Sequence, residues 1–149
     1  MAGGSSEAGG RGAHPREAAY RATRYEVDDG GVRFAIRIDA PCAALDALLA
    51  ARGVEEWAYL TAWNPGGQRA AEAANRAAQA RLEAELAAAG RPFLRGASVA
   101  DAGDWPPEPS LLVLGMPRAE ALALAARYGQ EAIVAGRRGG VAELLFCES

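Results

Sequence analysis

The sequence predicts an α/β or α+β fold in two layers, with one mixed sheet of six or seven strands and three helices mostly on one face. Three observations carry that reading. Val32, Phe34, Ile36 and Ile38 alternate with Arg33, Ala35 and Arg37, the period of two that marks a half-buried strand. Two stretches, 57–63/68–89/93–99 and 110–114/117–128/132–135, each read strand, helix, strand, with room for a right-handed crossover. The 149 residues, half of them apolar, suffice for one domain with its own core and leave little room for a second.

Residues 1–19 are expected to be a disordered tail. Glycine, serine and alanine with scattered charge bury too little apolar area to offset the entropy of ordering them. His14, which falls there, is expected to titrate in solvent. The domain proper then runs over 20–149. Tyr20 to Ile38 reads as a hairpin about Asp28-Asp29-Gly30-Gly31. Pro41 suits the first position of a helix over 41–52, with Leu45, Leu48 and Leu49 as its apolar stripe and Gly53 as its stop. Trp57 to Trp63 is apolar and aromatic on both faces, as a central strand is. Asn64-Pro65-Gly66-Gly67 ends it. An alanine-rich helix follows over 68–89, with Glu72/Arg76 and Arg81/Glu85 as i,i+4 pairs and Gly90 at its end. Phe93 to Val99 is a strand, and 101–109 is a loop fixed by three prolines. Ser110 to Leu114 is a strand, 117–128 a helix closed by Gly129, and 132–135 and 141–146 the last strands, joined by a turn over 137–140.

Composition removes several chemistries. The chain has no lysine, so all 16 basic residues are arginine, and its one histidine is His14. That excludes a lysine Schiff base, a P-loop lysine, a Ser-His-Asp triad within the folded part and a zinc site built on several histidines. Cys42 and Cys147 form no C-x-x-C pair, and no apolar run approaches the roughly 18 residues of a membrane span. The start lacks the apolar segment of a signal peptide. A reduced, cytoplasmic protein is expected, with no membrane association and no cofactor, as a monomer or homodimer. A net charge of −3 disfavours a protein held by phosphate-backbone contacts, so nucleic acid is not an expected partner.

The candidate site lies where strand 57–63 meets helix 68–89. In open α/β sheets, ligands favour the crevice at the carboxyl ends of strands. Thr61, Asn64, Gly66 and Gly67 occupy such an end, and the bare backbone beside a helix start suits an anion. Asn75 shares the helix face of Leu82 and Leu86, so it points toward the sheet and needs a hydrogen-bond partner there. The 64–67 turn is the nearest candidate, and Asn64 and Asn75 are the only asparagines in the chain. Arg76 can pair with Glu72 or bring a guanidinium to an anion. Gln130, beyond Gly129, can bond a loop or a ligand. The expected function is binding of a small polar or anionic molecule at this junction. One alternative is a metal-independent enzyme using Arg76 with Glu72, Asp101 or Glu108 as base. Another is an interaction module presenting the Arg33/Arg37 face of the sheet. Asp101, Asp104 and Glu108 do not have calcium-loop spacing.

Leu60-Thr61-Ala62-Trp63-Asn64-Pro65, Asn75-Arg76, Arg81-Leu82, Glu108-Pro109-Ser110, Val113-Leu114-Gly115 and Tyr128-Gly129-Gln130-Glu131-Ala132 together resemble a bacterial family of proteins of unknown function, number 3293. The resemblance covers roughly residues 20 to 145. It implies that Thr61, Asn64, Asn75, Arg76 and Gln130 are characteristic polar positions, and it brings no activity. In that family the position of Glu131 is often asparagine, and this chain departs from the pattern there.

Overall fold

The computed structural model describes residues 14–147. Its elements run α1 (Glu17–Arg21), β1 (Thr23–Asp29), β2 (Val32–Ile36), α2 (Ala43–Arg52), β3 (Glu56–Leu60), a 3-10 turn (Pro65–Gly67), α3 (Glu72–Ala88), β4 (Phe93–Ala100), β5 (Glu108–Leu114), α4 (Arg118–Arg127), β6 (Ala132–Arg137) and β7 (Glu143–Phe146). The seven strands form one sheet in the order β2-β1-β4-β5-β3-β6-β7.

Every ladder of this sheet is antiparallel. The expected mixed character reduces to one isolated parallel bridge, Ile38 with Ala142. Both helical crossovers exist, but each steps over a strand. The strands joined by α3, β3 and β4, run parallel with β5 antiparallel between them. The strands joined by α4, β5 and β6, run parallel with β3 between them. Two interleaved split βαβ units therefore make the centre of the sheet. A crossover of this length reaches one strand further than its neighbour, which periodicity along the chain does not encode.

Ile38 follows one edge strand and Ala142 precedes the other, so their bridge means that the sheet curls into a half-barrel. The Asp39 N–H donates to the Ala142 carbonyl at 2.7 Å beside it. Helices pack on both surfaces. On the convex side α3 and α4 place Leu82, Leu86, Ala121, Leu124 and Ala125 on Ala58, Leu60, Leu111, Val113, Ile133 and Ala135. Inside the curl α2 places Leu45, Leu48 and Leu49 on Val27, Ile36, Trp57, Leu112, Leu114, Val134 and Ala142. The stripe of three leucines thus does what its spacing predicts, and Gly53 closes α2 at φ 68°.

Two expectations about the ends of elements change. The long helix starts at Glu72, because residues 68–71 stay non-helical after the 3-10 turn. The expected tail over 1–19 reaches beyond the described residues for 1–13. Its remainder is packed rather than free. The His14 ring stacks on Phe146 with centroids 4.2 Å apart, and its Nδ1 accepts the Arg16 N–H at 3.1 Å. Arg16 reaches Glu131 with both ends of its guanidinium. Partners more than a hundred residues away supply what the local composition lacks.

Candidate functional site

Helix α2 fills only one end of the concave face. At the other end converge the start of β1, the ends of β3 and β4, and the starts of β5 and β6. A cavity of about 490 Å³ opens there, within the size range of small-molecule sites. Its lining is mostly apolar, and its floor carries a set of hydroxyl groups. Tyr25 and Tyr59 meet edge to face at 5.4 Å. The Ser98 and Ser110 hydroxyls are 2.9 Å apart, with the Ser110 hydroxyl donating to the Glu108 carbonyl. The Tyr59 hydroxyl donates to the Glu26 carbonyl at 2.7 Å, and the Tyr25 hydroxyl to the Tyr20 carbonyl at 2.8 Å. Burial pushes both phenols up, out of reach of ordinary pH.

One wall is the loop after β3, built from the residues singled out in the sequence. Asn64 adopts the left-handed conformation at φ 48°, which asparagine tolerates better than most residues. Its N–H donates to Asn75 Oδ1 at 2.8 Å, and Asn75 Nδ2 donates back to Asn64 Oδ1 at 2.8 Å. Asn64 Oδ1 also accepts the Ala70 N–H. Both residues are buried, at 6% and 3% exposure. Helix spacing turned Asn75 inward, and its buried carboxamide bonds Asn64 of the turn and, at 3.4 Å, the Ala70 carbonyl. The pair aims Asn64 Nδ2 outward to Glu108 Oε2 at 2.9 Å, and the Trp105 indole N–H donates to the same oxygen at 2.6 Å. Asn75 thus stands one hydrogen bond behind the cavity and does not line it. Thr61 does line it, donating to the Pro109 carbonyl and accepting the Trp63 N–H. Gln130 lines it as well and donates to the Trp63 carbonyl at 3.1 Å.

Gly66 and Gly67 play a different part from the one their bare backbone suggested. The Gly66 N–H donates to the Gly129 carbonyl at 2.8 Å, and the Gly67 N–H to the Asn64 carbonyl at 3.0 Å. The turn therefore has no donors left there for an anion. Gly67 and Gly129, but not Gly66, are closely approached by other groups. A Cβ on Gly67 would lie 2.5 Å from the Arg16 guanidinium, and one on Gly129 would lie 2.9 Å from Pro65. Arg76 sits on the outer surface of α3, paired with Glu72 at 2.7 Å, and is not part of the cavity wall. The reason is helical geometry, since one residue after the inward Asn75 is about 100° round the axis. Arg37 of the Arg33/Arg37 pair bonds Asp101 at 2.7 Å, while Arg33 lies 4.0 Å from Asp28.

Further wall residues were not singled out by spacing. Glu131 receives a two-pronged contact from Arg16 at 2.8 Å and the Tyr20 hydroxyl at 3.0 Å. The Arg16 contact holds its carboxyl below the usual range. The same guanidinium bonds the Gly66 carbonyl, so α1 is clamped over the cavity mouth. Trp105 stands at the rim at 42% exposure, with Arg69 5.7 Å over its ring. Gln79 lies one turn beyond Asn75 on α3. It is buried and accepts the Ala62 N–H at 2.8 Å, while its Nε2 has no partner among the described residues. Ser98 and Ser110 carried a readable signal, since each is a hydroxyl at an inward-facing position of a strand.

Among the described residues, no three His, Cys, Asp or Glu side chains gather as a metal site, and no helix is long and apolar enough to cross a membrane. Residues 60–133 match the model of a family described as a protein of unknown function, DUF3293. No curated protein and no solved structure matches the chain. The matched span runs from the end of β3 to the start of β6 and includes the Asn64/Asn75 pair, Glu108 and Gln130. Arg16, Tyr20 and His14 lie outside it. Glu131, where the resemblance implies asparagine, is the residue that receives them.

Proposed function

We propose that this family member binds a small polar molecule in the cavity at the open end of the concave face, beside the junction of β3 and α3. One observation carries the reading: a cavity of about 490 Å³ whose polar wall groups are fixed by buried partners. Asn64 and Glu108 are held by a chain of hydrogen bonds that begins at Asn75, so a ligand meets groups already oriented. Of the polar and anionic ligands expected at this junction, the wall favours the polar one. The turn N–H groups are already bonded, Arg76 lies elsewhere, and Arg16 is occupied by Glu131. The same placement of Arg76 removes the charge stabiliser on which a metal-independent enzyme reading relied.

A thermal-shift screen of nucleotides, sugar phosphates, carboxylates, amides and amines tests this. Any molecule that binds only the native state raises the midpoint. The screen is repeated on Ala100→Leu, which adds volume at the cavity wall. Compounds that shift the parent protein and leave the filled variant unmoved support the reading. No shift with any class, or shifts equal in both proteins, overturns it.

A further inference from the structure

We infer that the cavity selects a small, flat organic cation bearing N–H donors, of the amidinium or guanidinium type, with Glu108 as the residue that reads its charge. The inference deepens the proposed binding role and rests on it. Four charged side chains line the cavity: Arg16, Asp101, Glu108 and Glu131. Arg16 and Glu131 neutralise each other at 2.8 Å. Asp101 takes Arg37 at 2.7 Å and Arg24 at 3.5 Å. Glu108 alone among the four has no ion pair among the described residues. Its Oε2 accepts two neutral N–H donors, from Asn64 and Trp105, which fix the carboxylate in place. Its Oε1 accepts no hydrogen bond from the described residues.

A carboxylate at the edge of a cavity, oriented but without an ion pair among the described residues, lacks a counter-charge and one donor. A cation with N–H groups supplies both, and charge-assisted hydrogen bonds of this kind are about twice as strong as neutral ones. The surrounding rings fit the rest of such a molecule. Trp63 and Trp105 stand with Glu108 on the wall, Tyr25 and Tyr59 on the floor, and aromatic faces attract cations. The Trp105 ring already carries the Arg69 guanidinium at 5.7 Å. An anion, in contrast, meets Glu108 itself and finds no unpaired guanidinium on the wall. A quaternary ammonium satisfies the charge and leaves Oε1 without a donor, which is why an N–H cation is the better fit.

Three probes of one shape and different charge test this: benzamidinium, benzamide and benzoate, titrated calorimetrically into the full chain at neutral pH and low salt. The same titrations are run on Glu108→Gln and on Trp105→Ala. Benzamidinium is expected to bind tighter than benzamide by about tenfold, with benzoate weakest. In Glu108→Gln, which keeps an acceptor for Asn64 and Trp105, the two Kd values should converge. Trp105→Ala should weaken benzamidinium most. Because the readout is a ratio of affinities within one protein, partial unfolding of a variant does not mimic it. Benzamide or benzoate binding as tightly as benzamidinium overturns the inference and leaves the binding role standing if Ala100→Leu abolishes it. A cation preference that survives Glu108→Gln, or no binding by any of the three, also overturns the inference. The binding role falls too only if the screen is blank across all compound classes or its shifts are equal in Ala100→Leu.

Discussion

At one end of the concave face Val27, Trp57, Leu94, Leu112 and Leu114 lie in the cluster that α2 covers, and at the other Tyr25, Thr61, Ser98 and Ser110 line the cavity. The strands are the same ones, β1, β3, β4 and β5, and the face is the same. Only position along each strand differs. Period-two alternation puts all these side chains inside the curl, but it is the identity of the inward residue that decides whether a helix can seal it. A leucine-bearing helix covers the apolar end. The hydroxyl-bearing end has only the one-turn α1, held by Arg16, Tyr20 and the Tyr25 hydroxyl. Inward polarity in a strand is therefore the mark of an unfilled end.

The contrast breaks most sharply at Leu49, which is fully buried under the covered end. Leu49→Ala should cost about 2–5 kcal/mol, from lost transfer energy and a residual cavity. Urea denaturation reads this, and a loss below about 1 kcal/mol, too small for a fully buried leucine, would mean that α2 does not seal that end. Next comes Asn75, which stands behind the open end. Asn75→Ala strands the Asn64 N–H and leaves Asn64 Oδ1 with only the Ala70 N–H, so about 1–3 kcal/mol of stability should go. Binding in the cavity should weaken with it, because Asn64 no longer holds Glu108. At the open end Ser98→Ala should cost only about 1 kcal/mol or less, since the Ser110 hydroxyl keeps its bond to the Glu108 carbonyl.

Smaller still is an acid-dependent loosening of the segment clamped over the cavity. Arg16 depresses the folded-state titration of Glu131. A group shifted downward contributes in full above its unfolded value, about 4.3 for glutamate, and loses the contribution as pH falls through the lower folded value. Hydrogen exchange at the Tyr20 amide should accelerate in that window in the parent protein, and the acid-dependent step should vanish in Glu131→Gln. The smallest effect belongs to Arg76. Arg76→Ala removes one exposed i,i+4 pair and should change stability by about 0.5 kcal/mol at most, with no change in binding. A large binding loss there would return the site to the helix surface.

Local rules exposed what local geometry controls. The 3.6-residue spacing of Asn75, Leu82 and Leu86 turned the asparagine inward, and both crossovers and all seven strands were legible from alternation and turn residues. Strand order was not, because stepping over a neighbour is a property of the packed crossover. That the Gly66 and Gly67 N–H groups are already bonded was not legible for a related reason. The groups that occupy that turn, the Gly129 carbonyl and the Arg16 guanidinium, lie far along the chain in either direction. Arg16 itself sits in a stretch whose composition suggests no structure, and its partner Glu131 is 115 residues away. Glu108, a candidate base, sits among the prolines of its loop, and only the fold brings it to Asn64.

Three tryptophans divide between the two ends: Trp57 under α2 at 3% exposure, Trp63 and Trp105 on the cavity wall. Their indole N–H resonances give one readout for both. Titrating benzamidinium, benzamide and benzoate in turn, any probe that binds should move Trp63 and Trp105 saturably while Trp57 stays in place. A saturable shift at Trp57 alone would contradict a binding site at the open end of the curled sheet, and three indoles that ignore all three probes would overturn its preference for a cation.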